Sequence, residues 1–189
     1  MAVPPALTTD TYEIQFGTNF LGHALLLQLL LSALQASPSA RIVFLTSLGY
    51  ALANTIEFDT LHTTQSSFFG QWIRYGQSKL AAILYARRLA VAYPKMTFLS
   101  VHPGIINTEL VSSLSFVDRW IVYATTFWKT VTPEEGVRNS VWASTLARDA
   151  VVNGGYYEPV GKIGSTTAAS SDEMLAERLW DWTQNELRK

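Results

Sequence analysis

Tyr75 and Lys79 stand four residues apart in "RYGQSKLAAILYARRLAVAYP", the stretch from Arg74 to Pro94. Side chains at i and i+4 lie one turn apart on the same helical face, so a phenol and an ammonium there can address one ligand together. The chemistry open to them is proton transfer. A phenol with a pKa of ~10 exchanges protons poorly near neutrality, and bringing it to ~7 takes about 3 units, or roughly 4 kcal/mol. One nearby cation supplies about 1–3 units, so Lys79 is expected to do much of this but not all of it. The spacing alone is weak evidence. Eight tyrosines and five lysines in 189 residues give about 0.2 such pairs by chance, and an ordinary surface pair fits the same pattern.

The elements that must position these residues follow from periodicity and stop signals. Asp10 and Glu13 can form a capping box with Asp10 as N-cap, opening a long helix to about Gln35 that is irregular around Gly17 and Gly22. "RIVFLTS" (Arg41 to Ser47) is apolar and β-branched without alternation, as expected of a strand buried on both faces. A polar loop covers 48 to 68, and a helix runs from about Phe69 to Tyr93, stopped by Pro94. "MTFLSV" (Met96 to Val101) is a second buried strand, ending in "HPG". Thr132-Pro133-Glu134-Glu135 is a helix start, with Thr as N-cap, Pro at the first position and Glu at N3. That helix is expected to reach about Arg148. "NGGYYEPVG" (Asn153 to Gly161) gives a short third strand, and Ser170-x-x-Glu173 opens a final helix.

Alternation of helices and strands implies an α/β fold with a doubly wound parallel sheet. Ligands of such sheets sit beyond the carboxyl ends of the strands, where Ser47 and His102-Pro103-Gly104 fall.

Composition narrows the function. Only 15% of residues are charged and the net charge is −1, which offers no electrostatic footprint for nucleic acid. Cysteine is absent, excluding disulfide and thiolate chemistry. His23, His62 and His102 lack metal-ligand spacing, so no metal is expected. "FLGHALLLQLLLSAL" (Phe20 to Leu34) is interrupted by polar residues and falls short of the ~20 residues that a span needs. A buried helix is expected rather than a transmembrane one. No basic region precedes it as in a signal peptide, and a cytoplasmic protein is the expectation.

Asn19 in "GTNFLGHALL", Ser47 in "RIVFLTSLGY", Tyr75 and Lys79 in "YGQSK", and "HPGIINTEL" occur in that order. Here the sequence resembles the short-chain dehydrogenase/reductase family, its retinol-dehydrogenase-like and fungal branches in particular, over nearly the whole chain. Taken singly, Asn19 reads as a polar residue in an irregular helix and Ser47 as a strand-end turn. The resemblance implies a hydride transfer between a nicotinamide cofactor, NADP or NAD, and a small hydrophobic alcohol or carbonyl substrate. Tyr75 would be the proton donor or acceptor, its phenol acidified by Lys79 with the charge of oxidised nicotinamide helping. Lys79 would also hold the nicotinamide ribose, Ser47 would hydrogen-bond the substrate oxygen, and Asn19 would hold a water leading from Lys79. Pro103 and Gly104 would wall the nicotinamide, with Ile106 and Thr108 meeting its carboxamide or the adjacent phosphate.

By the same resemblance, residues 1–189 form a single partial Rossmann-type domain: 1–110 a catalytic core portion, 111–131 a substrate lid, and 132–189 a closing helix–strand–helix. Trp120, Tyr123, Phe127 and Trp128 in the lid imply a bulky apolar substrate, although an interfacial helix would carry similar residues. A homodimer through the helices Asp10–Gln35 and Phe69–Tyr93 is implied as well.

The family's glycine-rich TGxxxGxG turn, which receives the pyrophosphate at a helix N-terminus, does not occur in these 189 residues, nor does Asn-Asn-Ala-Gly. The expectation is a family member without its first mononucleotide-binding half and with an open apolar edge at Arg41 to Ser47. The alternative is a catalytically inactive remnant that partners an intact homologue.

Overall fold

The computed structural model describes residues 1–64, 69–106 and 130–188. Its centre is a mostly parallel four-stranded sheet. In chain order the strands are β1 (Arg41–Leu45), β2 (Thr97–Val101), β3 (Ile105–Ile106), β4 (Thr130–Val131), β5 (Tyr156–Glu158) and β6 (Lys162–Ile163). The sheet runs β1-β2-β5-β6, and β3 pairs with β4 separately. β1 lies parallel to β2 from Arg41↔Thr97 to Leu45↔Val101, and β2 lies parallel to β5 at Ser100↔Tyr156 and Val101↔Tyr157. β6 returns antiparallel on β5, a hairpin where the sequence suggested one short strand.

The helices are α1 (Ile14–Phe16), continued by a π-helical turn at Gly17–Leu21 into α2 (Gly22–Ala36), then α3 (Gly70–Ala92), α4 (Pro133–Thr145) and α5 (Glu173–Glu186). The irregularity expected between Gly17 and Gly22 is that π-turn, in which the Gly22 amide reaches back to the Gly17 carbonyl. Two helix starts differ from expectation. Thr11 adopts a positive φ of 65°, so the first helix begins later, with Glu13 as the cap accepting from the Phe16 amide at 2.7 Å. The last helix is capped by Asp172, which accepts from the Leu175 amide at 3.0 Å, because Ala169–Ser171 is spent on a 3₁₀ turn. The polar stretch after Ser47 likewise holds 3₁₀ turns at Leu48–Leu52 and Phe58–Thr60.

α4 starts as expected. The Thr132 hydroxyl accepts from the Glu135 amide at 3.2 Å, and the Glu135 carboxylate accepts from the Thr132 amide at 3.1 Å. Two otherwise orphaned donors are thereby satisfied. Thr132→Ala should lower unfolding stability by about 1 kcal/mol, to be read by urea denaturation. At the other end, α4 stops at Thr145, short of Arg148. Arg41 places its guanidinium there, donating to the Ala143 and Leu146 carbonyls at 2.6 Å each, the favourable position for a cation on a helix dipole.

β2 is buried along its whole length. β1 corrects the expectation of a strand buried on both faces: as the end strand it is only half-buried through Arg41, Ile42 and Val43, and Leu45 is 54% exposed. α3 is the central helix. Leu80 to Ala86 are all buried, and the helix packs on the sheet and on α5. Tyr85 stands edge-on to Phe20 and Phe44 at centroid distances of 5.3 and 6.2 Å.

The first helix also departs from expectation. Ile14–Ala36 is continuous over 23 residues, long and apolar enough by length and composition to cross a membrane, with only 22% of its apolar 18-residue stretch buried. The expectation of a helix too short to span, and buried, is therefore corrected. Phe16, Phe20, Ala24 and Leu27 face the core. Leu25, Leu26, Leu29 and Leu30 are exposed on α2, Leu29 at 74%.

Candidate active site

The carboxyl end of β1 and the first turns of α3 meet at Tyr75. Strand β1 runs out through Thr46, whose hydroxyl donates to the Lys79 carbonyl at 2.9 Å and pins the strand end to α3. Ser47 follows in extended conformation and caps the next turn, its hydroxyl accepting from the Gly49 amide at 3.1 Å. That turn brings Gly49 against the phenol. A Cβ on Gly49 would lie 2.7 Å from Tyr75 Cε1, and a Cβ on Gly76 would lie 2.8 Å from the Gly49 carbonyl oxygen. Two glycines therefore allow the Tyr75 ring to lie flush with the turn. Trp72 closes the other side, its ring edge-on at 6.4 Å.

Lys79 leans back to the strand, its Nζ donating to the Leu45 carbonyl at 3.2 Å and lying 5.8 Å from the centre of the Tyr75 ring. An ammonium carries three donors, so this contact leaves capacity for a ligand. Ser47, Tyr75 and Lys79 are thus on one wall. Asn19 reaches it indirectly: its Nδ2 donates to Ser78 Oγ at 3.1 Å, and Ser78 Oγ donates to the Tyr75 carbonyl at 2.7 Å. In this geometry Asn19 braces the helix that carries the phenol.

The electrostatics correct one expectation. Burial pushes the Tyr75 phenol above its ordinary value, and the Ser47 hydroxyl pulls it partly back. Burial also lowers Lys79. Desolvation penalises both charged forms and outweighs the acidification expected from Lys79.

After β2 the chain turns at His102-Pro103-Gly104, where Gly104 takes a φ of +97°, a conformation that side chains rarely adopt. A Cβ there would meet Val131 Cγ2 at 3.0 Å. His102 is buried and its Nδ1 has no hydrogen-bond partner; burial holds its pKa down to about 4, against a smaller opposing effect of Glu158. Pro103 and Ile106 are half-buried on the same segment. Thr108 and residues 111–129 of the expected lid lie outside the described residues.

Sequence reasoning missed Gly49, Gly76 and Asn139. "LGY" and "YGQ" give no sign that their glycines touch. Asn139, fully buried on α4, makes three backbone hydrogen bonds that join the turn after β2 to the β5–β6 hairpin. A cavity of about 620 Å³ on the far half of α3, lined by Ile83, Arg87, Val91, Val152, Tyr156 and Ile163 among others, contains none of the expected site residues. Among the described residues no cluster of His, Asp or Glu could hold a metal ion.

The chain is 34% identical over 183 residues to human retinol dehydrogenase 11, covering 96% of this chain and 56% of that protein. It is 33% identical over 213 residues to the short-chain dehydrogenase/reductase drtF of Aspergillus calidoustus, covering 100% of this chain and 66% of that protein. The chain belongs to the short-chain dehydrogenase/reductase family. It thus spans between half and two thirds of the length of these relatives. No family model matches it. A crystal structure of an uncharacterized protein from Mycobacterium Paratuberculosis superposes with a TM-score of 0.71 at 27% identity, covering 100% of this chain and 64% of that one.

Proposed function

We propose that this short-chain dehydrogenase/reductase chain carries the proton-transfer half of an NAD(P)-dependent oxidoreductase site for a small hydrophobic alcohol or ketone. The observation that carries the reading is the shared wall of Ser47, Tyr75 and Lys79, with a lysine that still has donors to offer. The residues fit a nicotinamide riboside: an ammonium with donors to spare for ribose hydroxyls, and a phenol beside it. A bound nicotinamide would supply or accept the hydride. Tyr75 gives its proton to the carbonyl oxygen as the alkoxide forms, or takes it in the reverse direction. Ser47 donates a hydrogen bond to the same oxygen and stabilises its developing charge. Lys79 holds the ribose, and its charge favours the phenolate. NADP is the preferred cofactor in this reading, by resemblance to the branch. Mixing the purified chain with NADPH and small ketones should bleach the reduced nicotinamide absorbance; no bleaching across a ketone panel would end the proposal.

A second copy of the chain is the proposed partner. The four exposed leucines of α2 support this, while α3 turns most of its apolar residues inward and leaves Ile73 and Val91 at its surface. Light scattering should report a dimer that Leu29→Glu dissociates, and a monomeric wild type would refute it. The same face favours one other reading, in which a catalytically silent chain caps an intact homologue. Inactivity combined with co-elution with such a homologue would establish that instead.

A further inference from the structure

We infer that Asn139 is a positioning residue for the nicotinamide-facing turn at His102-Pro103-Gly104, an inference that rests on the function proposed above. Parallel strands β2 and β5 part at their carboxyl ends, after the His102 amide donates to the Tyr157 carbonyl at 2.9 Å. Beyond that bond the sheet offers the His102 carbonyl no further ladder partner, and a buried carbonyl without one is costly. The side chain of Asn139 supplies it. Its Nδ2 donates to the His102 carbonyl at 2.7 Å and to the Tyr157 carbonyl at 3.2 Å, while its Oδ1 accepts from the Gly161 amide at 3.0 Å. Asn139 is fully buried, and one amide therefore closes the sheet end, the turn and the β5–β6 hairpin together.

One turn earlier on α4, Gly136 gives the same segment its second support. A Cβ there would lie 2.2 Å from Ile106 Cδ1, so Ile106 seats directly on the helix backbone. Helix α4 is in this way a rigid cradle for residues 102 to 106, and Asn139 is its only side chain that bonds the turn's backbone among the described residues. Proline at 103 and the positive φ at Gly104 fix the shape of the turn. Asn139 fixes where that shape sits relative to Tyr75. Neither Asn139 nor Gly136 needs to touch the cofactor for this role.

The test measures NADPH dissociation constants, by fluorescence of the reduced nicotinamide, together with hydrogen exchange on the full chain. Asn139→Leu keeps the size and removes all three bonds. Asn139→Asp, at mildly alkaline pH, keeps an acceptor for the Gly161 amide and loses both donors to the carbonyls. Both variants should weaken NADPH binding by roughly tenfold or more, about 1.4 kcal/mol. Exchange should quicken across 102–106 and stay unchanged across 80–86. In Asn139→Asp the Gly161 amide should remain protected, which separates loss of the turn from loss of the hairpin. Should Asn139→Leu fail to fold, Asn139→Asp decides alone. Wild-type binding retained in a folded variant, or exchange raised uniformly along the chain, would overturn the inference. A wild type that does not bind NADPH would overturn the function reading itself, and the inference with it.

Discussion

Tyr75→Phe should reduce turnover of a ketone with NADPH by about 10²- to 10⁴-fold, the range general acid catalysis contributes, or roughly 3–5 kcal/mol in the barrier. Phenylalanine retains the ring that fills the space between Gly49 and Trp72, so the packing survives and only the hydroxyl is lost. NADPH affinity should change little, because Lys79 and the 102–106 turn are untouched. A variant that keeps turnover within a few-fold of wild type would assign the proton to another group. A variant that loses NADPH binding along with turnover would place Tyr75 in binding rather than chemistry.

His102 makes the second large prediction. Its folded pKa of about 4 lies below the ordinary 6.5, so the folded state binds fewer protons than the unfolded chain in between. Stability contributed by the neutral imidazole is fully present above pH 6.5 and is lost as pH falls toward about 4. The gap corresponds to roughly 3 kcal/mol. Glu158, the charged group that opposes the shift, keeps the loss from being larger. Urea titrations of wild type and His102→Gln across that window should diverge by this amount, with the variant the flatter of the two. Parallel slopes would mean that acid unfolding proceeds through the carboxylates alone. Because His102 opens the turn beside the site, the same protonation should loosen residues 102 to 106 first.

How much of this was written in the chain depends on the range of the interaction. Thr132 to Glu135 carried a complete cap within four residues, and it formed. The Gly17–Gly22 irregularity was local as well, and it appeared as a π-turn. The caps at Asp10 and Ser170 failed because an equivalent acceptor lay close by, at Glu13 and Asp172, and the turns before each helix decided between them. Burial of β1 could not be read from its residues, since exposure depends on the number of neighbouring strands. Tyr75 and Lys79 were visible through their spacing and their company with Ser47. Their electrostatics were not, because desolvation is a property of the packed environment and reversed the sign expected from proximity alone. Gly49 and Asn139 were invisible for a related reason: each matters through backbone atoms brought from distant segments.

Burial raises the phenol of Tyr75, so a second positive charge is needed to bring it into a working range, and oxidised nicotinamide carries one. Carbon-13 NMR of ring-labelled tyrosine, assigned through Tyr75→Phe, can follow the ionisation of this phenol directly. With saturating NADP⁺ the Tyr75 pKa should fall by about 1–3 units, as for any group gaining an opposite charge close by, and Lys79→Met should remove part of that fall. A Tyr75 signal whose titration is the same with and without NADP⁺ would contradict the account.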